Sequence, residues 1–213
     1  MFGDWNRDKV LGEPDWHKVE HKLFWSIKLD DVRIGGQSLG LCDNGVNCLF
    51  TPDTGTSLLT FPAAEMHAFE EAHPEWKKSS GNTCESEHVF GELTYVINGI
   101  EYPIPSSHWM ERTPQDDGTS VCGHSIGTLD VGQDGLEHLF IGGDVFMQIY
   151  YTIFDRDSYE DFPDGRVGFA QAKHTAPEIV TRWTESGSYF DEEYLCEGRG
   201  VDESVCDSYD PAS

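Results

Sequence analysis

The chain has 213 residues, enough to bury a full hydrophobic core, so one domain with an appendage is the default organisation. It carries 39 acidic and 14 basic residues, which gives a formal net charge of −25. This charge argues against binding to nucleic acid or to an anionic membrane, because both repel a strongly negative surface. It suits a protein that works at low pH, where carboxylates are neutralised, or it serves solubility alone. No run approaches the roughly 18 apolar residues of a transmembrane helix.

Residues 1–15 are charged and irregular, which is typical of a linker or a cut end. They contain no apolar segment of the kind found in a signal peptide. Targeting information is therefore expected upstream, in a longer precursor, or the chain is not secreted.

Residues 16–173 predict a mainly β domain, because short apolar or alternating runs are separated by Gly, Asn and Asp. The pair Asn98-Gly99 lies between two such runs and predicts a β-hairpin. One short helix is predicted over residues 63–72, behind Pro62, because Ala, Glu and Met form helices readily. Strands are predicted at 22–29, 93–97, 100–104, 139–141, 149–154 and 166–169.

Residues 174–213 form an acidic extension with a different composition. A helical turn or two is predicted over 176–184, and residues 184–213 then carry nine acidic residues against one arginine. Charged tails are normally disordered unless something ties them down. The extension is therefore expected either to dock onto a partner or to act as a solubilising tail.

The six cysteines form an even set whose pairing the spacing alone does not decide. The local pairs Cys42–Cys48 and Cys196–Cys206 are entropically simplest, and Cys84–Cys122 would then close a loop worth about 4 kcal/mol in the chain-entropy model. Reduced thiols or a zinc site are the alternatives. Zinc is disfavoured because the chain has no Cys-x-x-Cys and its histidines are scattered. An oxidising compartment is the favoured interpretation.

The segment Asp53-Thr54-Gly55-Thr56-Ser57, followed by an apolar run over 58–62, is the most informative motif. A carboxylate at a strand end, held by Thr and Gly in a tight turn, is typical of acid-type peptide hydrolysis. That chemistry needs two carboxylates, and this chain has the motif once.

Several motifs in order resemble the C-terminal lobe of a pepsin-like (family A1) aspartic protease, over about residues 14–173. Trp16 with residues 24–27 resembles the entry strands, and the short cysteine loop 42–48 precedes Asp53. Cys84 and Cys122 fall where the larger disulfide of the family lies. The remaining matches are a central hairpin at 96–105 and closing strands at 143–146, 152–156 and 167–170.

The resemblance implies a mainly β fold, a single lobe of the bilobal pepsin-like acid protease fold with an acidic C-terminal extension. It implies three regions: a linker or cut end at 1–15, the lobe at 16–173 and the extension at 174–213. No metal and no cofactor are implied. With the cysteines, it also implies the secretory pathway, an acidic vacuole or lysosome, or the extracellular space.

The family mechanism rests on two facing aspartates, one per lobe, that hold a water between them. By resemblance, Asp53 is one of the pair and Ser57 supports its loop. Thr54 would brace the two loops beneath the pair, Gly55 would let the backbone approach the carboxylate, and Thr56 would bond near the substrate. A peptide cut at apolar residues is the implied substrate.

Residues 1–213 contain no second Asp-Thr-Gly or Asp-Ser-Gly, and no flap-like tyrosine hairpin ahead of Asp53. The chain alone is therefore expected to be inactive and to need a complementary N-terminal lobe or another protein chain. The alternative function is a catalytically silent lobe that serves as a structural or binding subunit of a larger assembly.

Two residues depart from the family pattern and favour that alternative. Pro52 stands directly before Asp53, where the family usually has an apolar strand residue with a free N–H, and proline has no such donor. Gly142 stands where a bulky aliphatic residue normally packs behind the catalytic loop, so the support of that loop is expected to be loose.

Three weaker signals point to other chemistry. Residues 123–127 read Gly-His-Ser-Ile-Gly, but a serine-hydrolase elbow must open a helix, and residues 128–135 predict a loop. Asp130 begins a faint calcium-loop pattern in which Ile141 replaces the required glutamate. Three polar side chains on the predicted helix and at its end are interpreted as a solvated surface: His67, Glu71 and His73.

Overall fold

A computed structural model describes residues 3–21, 23–43, 45–73, 82–83, 91–118, 120–157 and 159–173, with backbone only for 82–83, 111–114 and 120–122. The strands are β1 Val10–His21, β2 Ser26–Lys28, β3 Asp31–Ile34, β4 Gln37–Ser38, β5 Leu49–Pro52, β6 Leu59–Phe61, β7 Asn82–Thr83, β8 Leu93–Ile97, β9 Ile100–Ile104, β10 Met110–Pro114, β11 Ser120–His124, β12 Ile126–Thr128, β13 Leu139–Gly142, β14 Tyr150–Asp155 and β15 Arg166–Ala172. The helices are α1 Ala63–Ala72, α2 Ser106–Trp109 and α3 Asp144–Met147, and a 3₁₀ turn, Arg7–Lys9, precedes β1.

The locally encoded elements lie where the sequence predicts them. Helix α1 has the predicted bounds, and β8 and β9 form the predicted hairpin. Its turn residues Asn98 and Gly99 have φ of +50° and +75°, a left-handed conformation that these two residue types tolerate. None of the helices in the described part of the chain is long and apolar enough to cross a membrane.

Strand bounds differ from the predictions at several places. Within the described residues 23–29 of the predicted strand 22–29, only Ser26–Lys28 form a strand, because residues 23–25 form a turn. Strand β1 already begins at Val10, where it pairs with Ala172 of β15, and its pairing register with β15 shifts between Leu11 and Asp15. The division of the chain into three regions stays a prediction, and residues 174–213 lie outside the described residues.

An eight-stranded sheet organises the described residues, in the order β12-β6-β13-β5-β2-β1-β15-β14. Strand β13 is parallel to β5 and antiparallel to β6, so it joins the two strands that flank the Asp53 loop. A four-stranded sheet, β4-β3-β8-β9, packs on this one, and β10-β11-β7 form a third, three-stranded sheet.

An aromatic cluster fills the core between the two larger sheets. Its five members are at most 2% exposed, and each ring centroid lies within 6.2 Å of at least one other: Phe50, Tyr95, Tyr102, Phe146 and Phe169. They come from β5, β8, β9, α3 and β15, so the cluster connects the strand that leads to Asp53 with the helix after Gly143.

Candidate active site

Asp53 directly follows β5, a strand whose four residues are all buried. The backbone N–H of Asp53 donates to the carbonyl of Gly142 in β13 (3.0 Å). Both carboxylate oxygens accept hydrogen bonds, Oδ1 from the N–H of Gly55 (3.0 Å) and Oδ2 from Oγ1 of Thr56 (2.6 Å). These bonds fix the orientation of a half-buried carboxylate, and bonds to a charged acceptor are the stronger kind.

The backbone after β13 holds this loop from behind. The N–H of Gly143 donates to Leu58 O (3.2 Å), and that of Asp144 donates to Thr56 O (2.8 Å). A Cβ on Gly143 would lie 2.2 Å from Thr56 O and 2.3 Å from Leu58 O, both backbone atoms. Only a residue without a Cβ lets these two backbone segments approach so closely, so the geometry of the loop requires glycine at position 143.

The outer side of the loop faces solvent. Thr54, Gly55 and Ser57 are exposed, and the neighbouring Leu58 is 41% exposed. Thr54 makes no hydrogen bond to any described residue. The roles expected for Thr54 and Ser57 therefore stay predictions. An oriented carboxylate open on one side can act as a general base towards a water, whereas proton sharing needs a second carboxylate.

Pro52 is accommodated at the end of its strand. The N–H groups of a strand alternate in direction, and that of Asp53 points to β13, so the nitrogen of Pro52 points towards β2. On that side the pairing register ends at Ile27 and Phe50. The proline therefore costs no hydrogen bond between β5 and β13, which fits the usual place of proline at the limit of a ladder.

The expectation that Gly142 leaves loose packing is wrong. A Cβ at this position would lie 2.3 Å from Cζ of Phe50, far closer than any real Cβ contact. The Phe50 ring fills the space, so the residues behind the Asp53 loop are tightly packed despite the glycine.

The structure contains the disulfide Cys42–Cys48, which closes the loop immediately before β5. Cys84 and Cys196, the side chain of Cys122, and Cys206 lie outside the described residues, so their pairings stay predictions.

The Gly-His-Ser-Ile-Gly segment is structural. Its first two residues end β11 and its last two begin β12, the described residues 129–138 after it contain no helix, and Ser125 is 4% exposed. The N–H of Ser125 donates to Trp109 O (2.7 Å), and its carbonyl accepts from Leu59 N–H (2.9 Å). This serine is therefore buried by its backbone pairing and is not presented as a nucleophile.

The other two weak signals also have structural explanations. Asp130 Oδ1 accepts from the N–H of Ala63 (2.8 Å), so it caps α1, where Pro62 offers no side-chain cap. His67 and Glu71 approach to 3.7 Å on the outer face of α1, with side chains 69% and 71% exposed.

A buried polar cluster around His17 was not predicted. His17 in β1 is 1% exposed, its Nε2 lies 2.6 Å from the hydroxyl of Tyr102, and its Nδ1 lies 3.0 Å from Nδ2 of Asn98. Burial lowers the pKa of His17 to about 4, and the charge of Asp30 opposes this only in part. The available signal was its spacing of two from Val19, which places both side chains on one face of β1.

Comparison with known proteins places the chain in a family. The family model for eukaryotic aspartyl proteases matches residues 1–172. The chain belongs to the eukaryotic aspartyl protease family. Its mainly β fold is that of a single pepsin-like lobe, as the order of the sequence motifs predicts.

Gastricsins are among the similar curated proteins. Gastricsin of Callithrix jacchus is 34% identical over 175 residues, covering 81% of this chain and 42% of the relative. Gastricsin of Oryctolagus cuniculus is 36% identical over 173 residues (80% and 41%). A pregnancy-associated glycoprotein of Equus caballus is 31% identical over 176 residues (81% and 42%). The chain thus spans about two fifths of the length of the curated relatives it matches.

Proposed function

We propose that this chain is the C-terminal lobe of a bilobal aspartic endopeptidase and that Asp53 is one of its two catalytic carboxylates. The observation that carries the proposal is the geometry of the loop. Both oxygens of Asp53 are held by hydrogen bonds, the loop is clasped from behind by the backbone of Gly143 and Asp144, and its outer side is open.

In the assembled enzyme, a second carboxylate faces Asp53 across a water. Two carboxylates this close share one proton, so one is ionised and the other protonated. The ionised one removes a proton from the water as the water oxygen attacks the scissile carbonyl. The protonated one donates its proton to the forming oxyanion, and the proton taken from water then passes to the leaving amine as the C–N bond breaks. The substrate is a peptide with apolar residues around the scissile bond.

The partner is a complementary N-terminal lobe, supplied by a longer form of this chain or by a separate chain. The single Asp-Thr-Gly motif supports this requirement, since the chemistry needs a second carboxylate. The Cys42–Cys48 disulfide supports an oxidising location: the secretory pathway, the extracellular space or an acidic vacuole or lysosome.

A silent binding lobe is the less supported function. The two residues that favour it are Pro52 and Gly142, because both depart from the family pattern. The packing of both residues is compatible with an ordered loop.

The test uses the chain assembled with its N-terminal lobe, assayed for peptide cleavage at acidic pH and for binding of a statine-containing peptide, a mimic of the tetrahedral intermediate. We expect cleavage and binding in the native assembly and loss of cleavage in Asp53→Asn. The matched control is Asp116→Asn, because Asp116 lies in an exposed turn far along the chain from the loop. An intact assembly that neither cleaves nor binds the mimic would overturn the proposal.

A further inference from the structure

Gly142 is the direct support of Asp53. It is the buried last residue of β13, its carbonyl accepts the N–H of Asp53 (3.0 Å), and it lies opposite Pro52 in the parallel pairing with β5. Any displacement of the Gly142 carbonyl would therefore move the backbone from which the Asp53 carboxylate projects.

The volume beside Gly142 is occupied by the ring of Phe50. A Cβ on Gly142 would lie 2.3 Å from Cζ and 3.0 Å from Cε2 of Phe50, and 3.1 Å from Cβ of Phe146. The Phe50 ring is fully buried, with its centroid 4.9 Å from Tyr95, 4.9 Å from Phe146 and 6.2 Å from Phe169. Because protein cores are close-packed, a ring held on three sides has no room to retreat.

We propose that Phe50 is a positioning residue for the catalytic aspartate, its ring filling the volume that a side chain at position 142 would otherwise occupy and so fixing the Gly142 carbonyl that anchors Asp53. The ring acts through Gly142 and touches no reacting atom. The inference rests on the proposed function in assigning a catalytic task to Asp53, but the packing itself is tested without activity.

The proposal predicts how a side chain at position 142 affects the stability of the fold. It should destabilise the fold when residue 50 is large and stabilise it when residue 50 is small. Beside Phe50, Gly142→Ala forces a clash and should destabilise the fold. In Phe50→Ala, a cavity replaces the ring, and Gly142→Leu should refill it. The double variant conserves volume, and such exchanges are tolerated far better than either change alone.

The first experiment measures thermal unfolding of the chain with Phe50→Ala, Gly142→Leu and the double variant. We expect each single change to lower Tm by about 6 °C or more, and the double variant to regain at least about half of the larger loss. Losses that simply add in the double variant would overturn the proposal. If Phe50→Ala does not fold, the pair Phe50→Leu and Gly142→Ala gives the same comparison with smaller changes in volume.

The second experiment measures amide hydrogen exchange at Asp53, whose N–H bonds to Gly142, and at Gly55, whose N–H bonds to the carboxylate. Phe50→Ala should speed exchange at both amides at least about tenfold relative to core amides of the same variant. Phe69→Ala is the matched control, because Phe69 is 2% exposed but lies on α1. Equal exchange at Asp53 in the two variants would contradict the positioning role and leave Phe50 merely structural.

The activity of the assembled enzyme separates this inference from the proposed function. Phe50→Ala should lower kcat about tenfold or more with little change in KM, and the double variant should recover it. If Asp53→Asn keeps full activity, the proposed function fails. Hydrogen exchange at Asp53 and Gly55 then still tests whether Phe50 holds the Asp53 loop in position. If Asp53 is essential but exchange and Tm show no coupling between residues 50 and 142, the inference about Phe50 fails alone.

Discussion

The Asp53 loop and the His17 cluster hold polar side chains in opposite ways. Asp53 is half-buried, and the donors to its carboxylate, Gly55 and Thr56, lie within three residues of it. His17 is 1% exposed, and its partners Asn98 and Tyr102 lie 81 and 85 residues away along the chain. The loop thus presents a charged group to solvent through local geometry, whereas the tertiary structure keeps the histidine neutral.

The two sites should respond to acid in opposite ways, and the protonation of His17 is the reason. The contact with Asn98 Nδ2 requires an unprotonated Nδ1 on His17, so Nε2 carries the hydrogen and donates to the Tyr102 hydroxyl. Protonation of Nδ1 would oppose two donors and leave a charge in the core. Acid should therefore suit the proposed chemistry of Asp53 while it weakens the fold around β1 and β9.

The largest expected effect concerns the close backbone contact between Gly143 and the Asp53 loop. Gly143→Ala places a Cβ 2.2–2.3 Å from two backbone oxygens, which cannot move without opening the loop. We expect a loss of about 3 kcal/mol in the free energy of unfolding, measured by denaturant titration. Gly132→Ala is the control, because nothing lies within 4 Å of its Cβ position. If Gly143→Ala is as stable as the control, the backbone oxygens of Thr56 and Leu58 do not pack tightly against position 143.

The second prediction concerns the pH dependence of stability that the buried His17 causes. Because burial depresses the pKa of folded His17 to about 4, protons bind the unfolded chain more readily. Its contribution to stability is full above the ordinary pKa of 6.5 and falls as the pH drops to about 4, by roughly 2–3 kcal/mol. In His17→Gln this part of the pH dependence should vanish.

The measurement is the free energy of unfolding across that pH range, by denaturant titration. The groups that face His17 are Tyr102, Asn98, Asp30 and the ring of Phe169, and all remain in the variant. His67→Gln, on the exposed face of α1, controls for the loss of a histidine. Parallel pH curves for the parent and His17→Gln would contradict the assignment.

The smallest effect concerns a single bond to Asp53. Thr56→Val removes the hydroxyl that donates to Oδ2 at 2.6 Å and keeps the shape of the side chain. We expect a loss of about 1 kcal/mol in unfolding free energy, since the bond is charge-assisted but half-buried. Thr56→Ser keeps the donor and should lose less than half as much. Equal losses would mean that the threonine methyl group, rather than the hydroxyl, supports the loop.

The sequence predicts well the features that short segments determine. The Asn98-Gly99 turn, helix α1 and the Asp53 loop each follow from a few adjacent residues. The predicted strand 22–29 is too long, because the apolar Leu23 and Phe24 lie in a turn and are 54% and 40% exposed.

The features that the sequence did not predict arise from distant packing. Nothing near Gly142 in the sequence indicates that Phe50 fills its missing side chain, because β5 and β13 meet only in the sheet. The polar partners of the buried His17 likewise come from far along the chain, because Tyr102 and Asn98 belong to the β8–β9 hairpin.

The most direct test of the central claim is the kcat/KM for peptide cleavage at acidic pH in the assembled protein carrying Asp53→Asn, relative to Asp116→Asn. The amide keeps the size of the side chain but cannot act as a general base. We predict a loss of at least about a thousandfold for Asp53→Asn and no loss beyond about twofold for the control. Cleavage by Asp53→Asn within a few-fold of the control would show that Asp53 is not a catalytic carboxylate.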